Sequence, residues 1–126
     1  MRILFIGDVV GKPGRQAVQA IVPGLIQEQN LDFVIANGEN SAGGSGLTPD
    51  TADDLFAGGV DVITMGDHTW DQREILQIID REPRLLRPAN YPQGSPGIGS
   101  AVFDREGQPA IAVLNLIGRT FMRSYD

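Results

Sequence analysis

Three apolar runs in this chain each end in glycine followed at once by an acidic residue: ILFIGD (3–8), FVIANGEN (33–40) and VITMGDH (62–68). Apolar runs this short, without alternation, are the pattern of strands covered on both faces, and such strands belong to parallel sheets. Parallel neighbours need crossover connections, and the intervening segments supply helices for them. Pro13 stands where the first turn of a helix tolerates proline, and Val18, Ile21, Val22, Leu25 and Ile26 form its inward face. Pro23 is expected to kink or break that helix. The loop GENSAGGSGL ends at Thr48-Pro49, an N-cap and first-turn pair. The short helix that follows runs through Leu55 and Phe56 and stops at Gly58-Gly59. A third helix is expected over 72–80, with Ile75, Leu76, Ile78 and Ile79 as its apolar face. RLLRPANYPQGSPGIG (84–99) holds a short strand and a loop dense in proline and glycine, and residues 100–116 read as a β-hairpin. The expected fold is α/β: a largely parallel sheet flanked by helices, with right-handed crossovers.

The second strand of that hairpin, AIAVLNL, is too apolar to stand as a finished sheet edge, because exposed apolar edges invite pairing. Another element, a second copy in a homo-oligomer, or further chain is expected to cover it.

Composition narrows the function. At 126 residues, 41% hydrophobic and 21% charged, the chain has the make-up of one globular domain. A net charge of −6 disfavours non-specific binding to nucleic acid or to an anionic membrane. It leaves room for a small phosphate ester drawn to bound cations. Cysteine is absent, which removes thiol catalysis, thiolate metal sites and disulfides together. MRILFIGD reaches Asp8 too soon for a signal peptide or a membrane span, so the expected location is cytoplasmic.

In a parallel sheet the three acidic ends share one edge, where open α/β sheets bind their ligands. Asp8, Glu39, Asn40, Asp67 and His68 would converge there. Crowded carboxylates repel one another unless a cation neutralises them. Oxygen ligands with an amide and an imidazole suit Mn, Mg, Fe or Zn. Each residue also has a plainer reading. Asp8 could cap a helix or be a turn residue, Asp67 could cap the helix expected near Gln72, Glu39 and Asn40 could be loop polars held by local hydrogen bonds, and His68 could pack against a backbone carbonyl. Trp70 reads as a packing anchor. Other motifs fail: GDVVGKP is one residue short of a phosphate loop and has Pro13 where a hydroxyl is needed, and no G-x-G-x-x-G follows the first strand. His68 is the sole histidine, and no strand-to-helix elbow carries a serine, so a nucleophilic triad is not expected.

The motifs ILFIGDVVGKPGR, NGENSAGGSGLT and GDHTWD, in this order, resemble the YmdB-like family of bacterial calcineurin-type metallophosphoesterases. RPANYPQGSPGIG and LNLIGRTFM are similar to further family segments, so the resemblance spans residues 1–126. It implies the N-terminal half of an α/β/β/α sandwich with two divalent metals at the strand ends. The implied activity is hydrolysis of phosphodiesters, with cyclic nucleotides or RNA among the substrates. It further implies that Asp8 binds one metal, that Glu39 bridges both, and that Asn40 and Asp67 complete the ligands on this side. His68 would protonate or stabilise the departing oxygen. The family motif usually has asparagine where this chain has Asp67, and family members continue into a second half whose histidines supply the remaining ligands. The rival expectation for these residues alone is a truncated, non-catalytic module that binds metal or nucleotide.

Overall fold

The computed structural model describes residues 1–120. Strands β1 (Ile3–Ile6), β2 (Phe33–Asn37), β3 (Val62–Thr64) and β4 (Leu85–Leu86) form one sheet in the order β1-β2-β3-β4, every pair parallel. A hairpin of β5 (Ser100–Phe103) and β6 (Ile111–Leu114) makes a second, antiparallel sheet. Helices α1 (Gly11–Gln29) and α2 (Pro49–Ala57) complete the regular structure with a 3-10 helix over Arg73–Gln77. No helix among the described residues is long and apolar enough to cross a membrane.

Strand side chains point alternately to the two faces, and the core divides accordingly. Val34, Ala36, Ile63 and Leu85 join Val18, Val22 and Leu55 in the core on the helix side. Phe33, Val62 and Leu86 point the other way and pack with Ile111 and Val113 of the hairpin. Both faces of the central strands are therefore covered, which is why FVIAN and VIT read as unbroken apolar runs.

Helix α2 begins as its sequence dictates. Thr48 accepts from the Thr51 amide and the Thr51 hydroxyl accepts in return from the Thr48 amide, with Pro49 in the first turn. Of the two outcomes expected at Pro23, the break does not occur: the proline lies inside a helix that continues to Gln29. A proline frees the carbonyl four residues back, here that of exposed Gln19, where water can take the lost bond. Ile21, expected inward, is 56% exposed. It borders an apolar groove with Leu4, Ile6, Ala17 and Leu25 beside β1.

The third expected helix is also corrected. Only Arg73–Gln77 is helical, as a 3-10 turn, and the stretch after it is a chain of turns. Its N-cap, Gln72, makes no side-chain cap bond, and three of its apolar residues are isoleucines that fit helices poorly. Burial of Ile75 and Ile79 holds the segment down, whereas Leu76 is 54% exposed.

The hairpin meets its expectation of cover on one side only. Ile111 and Val113 are buried, while Leu114 and Phe5 are each 62% exposed. Between β1 and β6 runs a groove of about 510 Å³, lined by Ile3, Phe5, Ile35, Val113 and Leu116 among others.

These assignments separate two leucines that look alike in sequence. Leu86→Ala should cost about 2–5 kcal/mol, since it opens a cavity where the two sheets meet. Leu76→Ser should stay within about 0.5 kcal/mol, as surface changes do. Urea denaturation of both variants checks the pair.

Candidate metal centre

The parallel register brings the three loops together. Ile6 lies opposite Ala36, and Asn37 opposite Thr64, so β1, β2 and β3 end level. The loops are then tied across: the Val9 amide donates to the Asn37 carbonyl, Gly11 to Asn40, and Gly38 to Thr64. Asp8 turns the first loop at φ 48°, a left-handed conformation that aspartate and asparagine tolerate better than most residues.

Ligand atoms of Glu39, Asp67 and His68 lie within 4.8 Å of one another. Asp8 stands outside that group and joins it through Asn40. The Asn40 amide nitrogen donates to Asp8 Oδ1 at 2.7 Å, and Asn40 Oδ1 lies 2.6 Å from His68 Nδ1. The first contact fixes the second: with its nitrogen facing a carboxylate, Asn40 must turn its oxygen to the ring, so Nδ1 carries the proton. His68 Nε2 then faces Asp67 Oδ2 at 3.8 Å.

Glu39 is the anomalous member. Its Oε2 is buried without a hydrogen-bond partner. Burial pushes its pKa above the ordinary 4.5, the neighbouring Asp67 and more distant Asp8 push the same way, and His68, through its charge and its backbone N–H, opposes them. Gly66 makes room for this carboxylate, since a Cβ there would stand 1.8 Å from Glu39 Oε2. A buried, unpartnered carboxylate oxygen beside a second carboxylate and an imidazole is a donor set that fits a divalent cation.

The plainer readings fare differently. Neither aspartate caps a helix: Val10 is the N-cap of α1 and Gln72 that of the 3-10 turn. His68 pairs with the Asn40 side chain rather than with a backbone carbonyl. Trp70 does pack against the helix-side core, as its plainer reading had it. The third loop is held by contacts that no sequence motif marks. The Gly66 carbonyl accepts from the Thr69 hydroxyl at 2.6 Å and from Tyr91 at 2.7 Å. No local pattern announces a tyrosine 25 residues away, although both ends of that contact lie in segments that stood out.

A parallel sheet whose strand-end loops gather carboxylates, an amide and an imidazole defines an α/β protein with a site suited to a divalent metal. The family model for YmdB-like proteins matches residues 4–126, and the chain belongs to that family. It is 52% identical over all 126 residues to a 2',3'-cyclic-nucleotide 2'-phosphodiesterase of Bacillus subtilis (strain 168), covering 47% of that protein. Two crystal structures are similar. A hypothetical protein from Thermus thermophilus matches at TM-score 0.92 and 40% identity, over 100% of this chain and 48% of that one. A phosphatase from Mycoplasma pneumoniae matches at TM-score 0.84 and 36% identity, over 93% of this chain and 43% of that one. The chain spans about half the length of the curated relatives it matches.

The raised pKa of Glu39 gives a pH test on metal-free protein. A carboxyl whose folded pKa lies above its unfolded value contributes stability that is present below about 4.5 and is lost as pH rises through the folded value. Glu39→Gln, which keeps the shape without the charge, should therefore melt roughly 2–5 °C above the parent at pH 7 in chelator. The gap should close as pH falls toward 4.5. Thermal melts across pH 4 to 8 measure it, and a gap that is constant with pH would contradict the assignment.

Proposed function

We propose that this chain carries the Asp8, Glu39, Asn40, Asp67 and His68 portion of a metal-dependent phosphodiesterase centre. Small phosphodiesters are its substrates, and 2',3'-cyclic nucleotides are the preferred class, by analogy with the Bacillus subtilis relative. The observation that carries the reading is the unpartnered, buried Glu39 Oε2 set against Asp67 and His68. Glu39 and Asp67 are the ligands nearest to hand, and Asp8 and Asn40 extend the set toward a second cation. Divalent cations held there supply Lewis acidity and offset the carboxylates' mutual repulsion.

The chain's own residues divide the remaining work. Asn40 orients His68 by holding its protonated Nδ1. Nε2 of the doubly protonated ring is thereby the nitrogen that gives its proton to the departing oxygen, leaving the neutral ring with its proton on Nδ1. Gly66 leaves the space that Glu39 needs. A homo-oligomer that covers the groove between β1 and β6 belongs to the same proposal, because Phe5 and Leu114 lie bare along it.

The test is Mn²⁺ binding by calorimetry alongside hydrolysis of a 2',3'-cyclic nucleotide. Asp8→Asn should lose metal-dependent hydrolysis and keep its fold, since asparagine suits the left-handed backbone at this position. Asp67→Asn should weaken Mn²⁺ binding about ten-fold, roughly 1.4 kcal/mol, through the loss of one negative charge from the cluster. Unchanged Mn²⁺ affinity in a folded Asp67→Asn protein would remove Asp67 from the ligand set. Stoichiometric Mn²⁺ binding without turnover would favour the metal-binding module over the enzyme.

A further inference from the structure

The turn that presents Asp67 and His68 follows β3 directly, and its backbone is held from outside the sheet at two successive carbonyls. The first is that of Met65. In the register of β3 and β4, Ile63 lies opposite Leu85 and the Met65 amide donates to the Leu86 carbonyl at 2.9 Å. Continuing a parallel ladder by one step puts position 88 opposite the Met65 carbonyl as its donor. Position 88 is Pro88, which has no N–H. Asn115, just beyond β6, fills the gap: its Nδ2 donates to the Met65 carbonyl at 2.7 Å and to the Leu86 carbonyl at 2.9 Å. Its own backbone is pinned between Gly99 and Ala89, at 2.9 and 2.8 Å.

The second carbonyl is that of Gly66, where three donors converge. The Thr69 amide and hydroxyl close the turn from within, at 3.2 and 2.6 Å. The Tyr91 hydroxyl reaches it from the segment after β4, at 2.7 Å. Tyr91 is 6% exposed, and its ring lies 6.0 Å from that of Trp70, in the same turn. The segment bearing Tyr91 is itself tied to the residues after β6, since the Asn90 side chain exchanges two hydrogen bonds of 3.0 Å with the backbone of Ile117.

We propose that Tyr91 and Asn115 are positioning residues that lock the Asp67–His68 turn against Glu39 through the carbonyls of Gly66 and Met65. This gives RPANYP and LNLI, which bear none of the proposed ligands, a part in the site. The inference deepens the metal-centre reading and rests on it for its functional meaning. A pair of residues that held the turn only as part of the general fold would move global stability. A pair that sets the turn's geometry moves the turn locally and moves ligand affinity with it.

Tyr91→Phe keeps the ring beside Trp70 and removes only the hydroxyl. Asn115→Ala removes the donor to both carbonyls. Amide hydrogen exchange on metal-free protein should quicken at His68 and Thr69 by about ten-fold in Tyr91→Phe, with Val62–Thr64 of β3 unchanged. Mn²⁺ affinity by calorimetry should fall roughly ten-fold in Tyr91→Phe and at least as far in Asn115→Ala. Exchange at His68 within two-fold of the parent in Tyr91→Phe overturns the proposal, as does a uniform quickening that includes β3. Local quickening in a parent protein that itself binds no Mn²⁺ upholds the locked turn and overturns the metal reading instead.

Discussion

The parallel register of β1, β2 and β3 is the constraint on which everything at the site depends. Because the strands run the same way and end level, the acidic step after each is delivered to one edge. A one-residue slip in any pair would turn that strand's apolar set to the wrong layer and separate the loops. The slip is resisted from both sides. Val34, Ala36 and Ile63 are committed to the helix-side core, and Phe33 and Val62 to the hairpin side. Packing energy in two cores thus fixes the geometry of groups that contribute nothing to either core.

Those groups work against the fold. Glu39 is held partly out of water beside Asp67, and one of its oxygens has no partner. An arrangement of this kind persists only where its surroundings over-determine it. Here Gly66 leaves the space that the Glu39 carboxylate fills, the Asn40 bridge joins Asp8 to His68, and the cross-loop bonds from Val9, Gly11 and Gly38 prevent the loops from spreading. Local destabilisation by a buried carboxylate is a common mark of a site built for something that arrives with positive charge.

Much of this was legible in the chain because it was written in short-range chemistry. The unbroken apolar runs marked doubly covered strands, Thr48-Pro49 marked a helix start, and the glycine-acid steps marked the loops that matter. The misreadings share one cause, which is context that no local pattern carries. Pro23 does not end α1, because the lost bond falls on a wetted face and the helix is held by Val18 and Val22 on the opposite side. The isoleucines at 75, 78 and 79 have helical spacing, yet packing takes Ile75 from a 3-10 turn and Ile78 and Ile79 from the turns after it. Tyr91 and Asn115 were unreadable for the same reason. Their partners are carbonyls 25 and 50 residues away, and a carbonyl has no letter in the sequence.

One feature of β1 joins the sheet edge to the site. ILFI carries none of the charge, proline or bulge with which natural edge strands discourage pairing, yet among the described residues it is the outermost strand of its sheet. Ile3 and Phe5 are bare on one face, and Leu4 and Ile6 open into the apolar groove beside α1 on the other. Gly7 and Asp8 line the end of that same groove. A segment that filled it would gain apolar burial along β1 and at the same time exclude water from one side of Asp8. A lower local dielectric strengthens every interaction that Asp8 makes, including its hydrogen bond from Asn40 and through it the orientation of His68. Burial of the α1 side of β1 and the electrostatics at Asp8 are, on this geometry, coupled through one groove.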